Sequence, residues 1–233
     1  MQDLIKQERF EIEVLDRLKS GRFLDSLIFT GGTMLRLCYG LNRFSIDLDF
    51  WLYKEIDTRD YFRRLKEYFY RYYVIKDARG PQKIARFFGV IVENKFYTMI
   101  FEIKSKDFPR SLKIEIRKKT GKFKTDLTIA YSKYSDKQVL VRSLSLEDVM
   151  RSKIEAFLDR KEIRDVFDME FLVKRGIEVK ASKDEIKKLI DNILSLKKKD
   201  YSVKLGSILE AEDRRYYSSE NFKILIMKLQ EKI

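Results

Sequence analysis

The sequence predicts an α/β (α+β) protein: a small mixed sheet flanked by helices over residues 1–142, then a helical lobe over residues 143–233. Three observations lead to that reading. Strand-like runs and helical apolar periodicity are interspersed up to about residue 142, whereas from Ser145 onward the pattern is helical. Hydrophobic residues make up 44% and aromatics 13%, enough for a packed core, so global disorder is excluded. No apolar run approaches the roughly 18 residues of a membrane span, and no internal repeat or low-complexity linker divides the chain.

The elements follow in order. Residues 3–20 read as an amphipathic helix with Leu4, Ile5, Ile12, Leu15 and Leu18 near one face, ended by Gly21. Leu27-Ile28-Phe29 reads as a strand, Gly31-Gly32 as a turn, and Thr33–Tyr39 as a helix of about two turns. A helix over 58–76, with Thr58 as its N-cap, is broken by Gly80-Pro81. Three β-like runs come next, Ile84–Val92, Tyr97–Lys104 and Leu112–Lys118, with Asn94 in a hairpin connection between the first two. Lys137–Arg142 reads as one more strand. Ser145-Leu146-Glu147-Asp148 is a capping sequence for a helix to about Arg160, which buries Val149, Ile154 and Phe157 and leaves Lys153 off that stripe. Further helices are expected over Glu162–Lys174, Ser182–Lys199 and Ser219–Ile233.

Composition removes several kinds of chemistry. The chain has no histidine and a single cysteine, Cys38. Ser-His and Cys-His catalysis, histidine-bound metals, cysteine-cluster zinc and an internal disulfide are therefore excluded. What remains is carboxylates, lysines, hydroxyls and a hard metal. The start, MQDLIKQERF, lacks the apolar core of a signal peptide, so a cytoplasmic location without a membrane partner is expected. The net charge of +13 points to a polyanionic partner. Charged residues reach 37%, a balance similar to that of a thermophile's surface.

The chemistry concentrates between Ile28 and Leu52. On a strand Asp47 and Asp49 share one face, while Leu48 and Phe50 point into the core. Two like charges on one face repel, and a hard divalent cation such as Mg2+ suits the pair. Upstream, Gly31 and Gly32 lead into a helix whose free amides favour an anion such as phosphate. In Leu112–Lys118 the alternation buries Ile114 and Ile116 and places Glu115 on the opposite face, where the aspartates also point if the strands are neighbours. Arg117, Lys118, Lys119, Lys122 and Lys124 follow with no acid among them, a run able to hold a nucleic-acid backbone.

Gly32-Thr33, thirteen residues, then Asp47-Leu48-Asp49-Phe50 resemble the pattern of the polymerase-β-like nucleotidyltransferases. The longer stretch Gly31-Gly32-Thr33-Met34-Leu35-Arg36-Leu37-Cys38-Tyr39-Gly40, with Arg43, Ser45 and Asp47–Phe50, resembles the signature of the AbiEii/AbiGii toxin family. Lys153 and the sequence Arg164-Asp165-Val166-Phe167-Asp168-Met169 resemble that family's later helices. The resemblance implies a polymerase-β-like core and transfer of a nucleoside monophosphate from an NTP to an acceptor. It implies Asp47, Asp49 and Glu115 as ligands of two Mg2+ ions, with Mn2+ as a substitute, and Gly31, Gly32, Thr33, Arg43, Ser45 and Lys153 as nucleotide contacts. Lys153 would meet the triphosphate, and Asp165 would help complete the active site. RNA, including tRNA 3′ ends, is the implied acceptor, and an antitoxin the implied protein partner. Two other readings stay open: a non-catalytic module that binds nucleic acid or protein, and an enzyme that modifies protein side chains.

Overall fold

The structure, a computed structural model, describes residues 1–81, 98–119 and 121–233. The chain divides into two compact units, Met1–Tyr39 with Ser45–Ser143, and Gly40–Phe44 with Leu144–Ile233. The expected strand Ile84–Val92, the connection at Asn94 and the first residue of the run Tyr97–Lys104 lie outside the described residues.

Among the described residues the first unit is a mixed seven-stranded sheet with helices. Helix α1 (Gln2–Ser20) leads into β1 (Leu27–Thr30), α2 (Gly31–Tyr39) and β2 (Asp47–Leu52). Then come α3 (Thr58–Tyr70), β3 (Val74–Arg79), β4 (Thr98–Lys104), β5 (Leu112–Lys118), β6 (Thr125–Tyr131) and β7 (Gln138–Leu144). The spatial order is β3-β4-β5-β2-β1-β7-β6. Strand β2 runs antiparallel to β1 and parallel to β5, in the middle of the sheet. Its Leu48 and Phe50, with Ile114, Ile116, Phe29, Met99 and Phe101 of the neighbouring strands, are all essentially buried. This apolar face anchors β2, because slipping it by one residue would turn Asp47 and Asp49 into the core.

Three local expectations are corrected. The helix expected over 58–76 stops at Tyr70, and Val74–Arg79 pairs with β4 as a strand. Its N-cap is Asp57, not Thr58: the Asp57 carboxylate accepts from the amides of Arg59 (2.9 Å) and Asp60 (3.2 Å). Thr125–Tyr131, for which no element was expected, is the outermost strand on the β7 side of the described order.

The second unit is helical: α4 (Leu146–Arg160), α5 (Ile163–Lys174), α6 (Lys183–Leu194), α7 (Ala211–Glu220) and α8 (Lys223–Gln230). Ser145 caps α4 by accepting from the Asp148 amide at 3.3 Å, and Ser182 with Glu185 forms a reciprocal capping box on α6. The last expected helix, Ser219–Ile233, is shortened to α8, and α7 precedes it where no helix was expected. Asn221 and Phe222 take left-handed backbone between α7 and α8, and Phe222 is buried. The segment Gly40–Phe44 belongs here, since Arg43 bridges to Leu209 and the Phe44 amide donates to the Ile208 carbonyl at 2.9 Å. The sequence motif is thus shared between the two units. Among the described residues no helix is long and apolar enough to cross a membrane.

Candidate active site

In the first unit the site grows out of one register. Asp49 is opposite Thr30 of β1 on one side and Glu115 of β5 on the other, and Asp47 is opposite Lys113. Opposed residues share a face, so Asp47, Asp49, Lys113 and Glu115 project together from the side away from Leu48 and Phe50.

Gly31 begins α2 with φ +79°, a conformation side chains disfavour. A Cβ there would lie 2.5 Å from Asp49 Oδ2 and 3.0 Å from Asp49 Cβ. The bare backbone is what lets the aspartate approach the helix start. Thr33, fully buried, donates its hydroxyl to the Asp47 backbone carbonyl at 2.5 Å. That bond ties α2 to β2, so the Thr33 hydroxyl is already engaged within the protein.

Lys113 answers the repulsion between the aspartates. Its ammonium is 2.9 Å from Glu115 Oε2. The hydrogen bond to Glu115 raises its pKa, and the fields of Glu115, Asp47 and Asp49 add to that. Arg117 Nε takes the other oxygen of Glu115. Burial disfavours the Glu115 charge, but the bonds from Arg117 and Lys113 outweigh it and hold the carboxyl below its ordinary range. A cation thus already occupies the field of the three carboxylates, and their donor set of hard oxygens suits Mg2+. Among the described residues, however, no three acidic side chains are grouped closely enough to hold an ion as they stand. Asp47 and Asp49 share one face of β2 as a pair of hard oxygen donors. Glu115 would have to leave Lys113 and Arg117 to join them.

The basic run is partly committed. Beyond Arg117, Lys119 places its ammonium 5.1 Å from the centre of the Trp51 ring, and Phe123 packs on that ring at 4.7 Å. Trp51 is two residues past Asp49, on the same face of β2.

Behind the site lies a group of buried polar side chains on α1 that periodicity did not reveal. Glu8 accepts from Arg36 of α2 and from Ser132 at 2.5 Å. Glu11 is fully buried, and neither of its carboxylate oxygens has a hydrogen-bond partner among the described residues. Burial, then Glu8, raise its pKa well above the ordinary value, and Asp47 contributes in the same direction. Burial pushes the Cys38 thiol up to about 12, which disfavours the thiolate.

The second unit holds the other candidates, and they form a buried ion network. Arg43 grips Asp168 with two bonds of 2.7 Å. Lys153 is 2.6 Å from Asp168 and 3.1 Å from Asp165. Arg160 holds Asp165 with two bonds of 2.8 Å. Both aspartates are wholly buried, and Lys153 is only 8% exposed. Lys153 is therefore part of the buried side of α4, because two acids on α5 require its charge. Burial opposes the Asp168 charge, but Arg43 and then Lys153 prevail and lower its pKa. Ser45, half-buried, follows this unit's first segment directly in the chain and belongs to the first unit.

Comparison with known proteins bears on both units. The family described as "Nucleotidyl transferase AbiEii toxin, Type IV TA system" matches residues 13–225. The crystal structure of JHP933 from Helicobacter pylori is similar with a TM-score of 0.59 at 22% identity, over 96% of this chain and 94% of that one. A second solved structure, of a putative nucleotidyltransferase from H. pylori, is similar with a TM-score of 0.58 at 23% identity, over 97% of each chain. At these identities the likeness is one of fold. No curated protein matches the chain.

Proposed function

The chain belongs to the AbiEii nucleotidyl transferase toxin family of type IV toxin–antitoxin systems, and from that premise we propose that it is a Mg2+-dependent enzyme transferring a nucleoside monophosphate from an NTP to an RNA acceptor. The observation that carries this reading is the fit between Gly31 and Asp49. It brings a carboxylate against the amide-bearing start of a helix, so that a cation ligand and a phosphate cradle adjoin.

Asp47 and Asp49 would hold the metal, with Glu115 as a third ligand once released from Lys113 and Arg117. Mg2+, or Mn2+ in its place, supplies neutralisation of the triphosphate and a lowered pKa for the acceptor hydroxyl. The amides at Gly31 and Gly32 orient the triphosphate by donating to its oxygens. Thr33 keeps that helix start in register with Asp47 through its backbone bond. Lys113 neutralises the carboxylates before substrate arrives. The acceptor hydroxyl releases its proton to solvent as its oxygen attacks the α-phosphorus, the α–β anhydride bond breaks, and pyrophosphate leaves. Arg43, Ser45, Lys153 and Asp165 join the nucleotide site on the strength of the family resemblance. An RNA acceptor is supported by the net charge of +13.

A binding module on the same fold is the second reading, favoured by the engagement of Glu115 with two cations. Incubating the protein with each labelled NTP, Mg2+ and total RNA separates the two. Label in RNA, with pyrophosphate released in equal amount, supports the enzyme. Label in neither RNA nor protein overturns it.

A further inference from the structure

At the far end of β2 the first unit carries a second concave feature. Tyr53 follows the strand directly and lines a half-open pocket of about 230 Å³. Four residues at about 3.3 Å each separate it from Asp49 by roughly 13 Å along the strand. None of its lining residues is among the candidate site residues.

Its walls combine two kinds of surface. Lys19, Lys54 and Arg142 supply positive charge, and the acid among the lining residues, Asp25, is paired with Arg22. Arg142 and Lys54 stand 5.5 Å and 5.7 Å from the centre of the Tyr53 ring. Among the lining residues are apolar side chains open to water: Leu127 of β6 is 65% exposed and Leu140 of β7 48%. Ile129 and Tyr131 continue the same exposed face along β6. An outer strand that presents alternating apolar side chains to water is a face awaiting a partner.

Charge and size select among partners. A second copy of this chain would bring the same cations and the same net charge of +13 against them. A whole small-molecule ligand needs about 300–1,000 Å³, more than this pocket provides. One flat base flanked by backbone phosphates matches a lining that combines exposed leucines, an aromatic ring and three cations.

We infer that this pocket is a docking site for the acceptor, taking one unstacked base of single-stranded RNA while Lys19, Lys54 and Arg142 meet the flanking phosphates. The inference rests on the RNA-acceptor reading above and locates where the body of that acceptor is held.

The test is a salt titration of binding between the full chain and a labelled single-stranded RNA oligonucleotide, with NTP binding measured in parallel. Leu127→Asp, at an exposed position, is expected to weaken RNA binding by about tenfold. The double variant Lys54→Ala/Arg142→Ala is expected to flatten the log–log salt slope by roughly 0.7 for each phosphate no longer neutralised. NTP affinity is expected to hold in both. If wild type binds RNA and both variants bind with the same affinity and slope, the docking site is overturned while the RNA-acceptor reading stands. If wild type binds no RNA, both fall. If Leu127→Asp instead splits a dimer in sedimentation and leaves RNA binding intact, the face is a self-association surface and the inference is overturned.

Discussion

Gly31 and Asp49 are fitted to one another: a Cβ on residue 31 would fall 2.5 Å from Asp49 Oδ2, at a backbone angle of φ +79°. Gly31→Ala must therefore either displace the carboxylate or unwind the start of α2. Left-handed strain alone costs about 1–3 kcal/mol. The expected result is a folded protein of lower melting temperature in which Mg2+-dependent NTP binding is lost. Retained NTP affinity, measured by calorimetry, would show that the close approach has no part in the site.

Lys153 gives the second prediction. Removing one member of a buried, hydrogen-bonded charge pair costs about 3–5 kcal/mol, and Lys153→Ala strips a cation shared by Asp165 and Asp168. Urea unfolding should report a loss of that order. The network also has a pH signature. The Asp168 carboxyl is held below its ordinary value, so its contribution is present above the usual aspartate range and fades as the pH falls through the depressed value. Arg43→Met should move the acid unfolding midpoint to higher pH.

Lys113 yields the third. Asp47 and Asp49 lie in the field of its ammonium, so Lys113→Met should expose their mutual repulsion in the metal-free protein. The pair with Glu115 is partly exposed, and the cost should stay within about 1 kcal/mol. The expected result is a lower melting temperature in EDTA and a larger rise on adding Mg2+ than wild type gives. Identical Mg2+ shifts in the two proteins would remove Lys113 from the account.

Glu11 supplies the fourth. Its pKa is raised by burial, so the folded state holds the proton to higher pH than the unfolded chain does, and stability is greatest below the ordinary glutamate value. As the pH climbs from there towards the raised value, the unfolded chain ionises first and stability falls. Glu11→Gln keeps the shape without the titration. It should match wild type near pH 4 and exceed it at pH 8, by about 2–4 °C in Tm for each kcal/mol recovered. Parallel curves at both pH values would contradict a protonated Glu11.

How far the sequence discloses this arrangement differs by element. The register of β2 was legible because Leu48 and Phe50 can face only the core, which fixes Asp47 and Asp49. Glu115 could be placed on their face from alternation alone, and it is opposite Asp49. Its engagement with Lys113 and Arg117 was legible only as a neighbouring charge pattern. Strand β6 was missed because its alternating residues Leu127, Ile129 and Tyr131 point to water, and periodicity is read as burial. Strand β3 was absorbed into the preceding helix, since Val74–Arg79 buries little and carries charges. Lys153 read as a surface lysine because the acids that hold it lie on the next helix, α5, where one of them is shared with Arg43. Helical spacing shows which side of a helix is apolar. It does not show where an acid waits on another helix.

The central claim is that Asp47 and Asp49 hold the catalytic metal, and Asp49→Asn tests it most directly. Removing one of two adjacent negative charges relieves repulsion, so the variant should melt in EDTA no lower than wild type. With labelled NTP, Mg2+ and total RNA it should transfer no label, and Mg2+ should raise the melting temperature of wild type but not of the variant. Transfer at the wild-type rate by a folded Asp49→Asn protein would contradict the account.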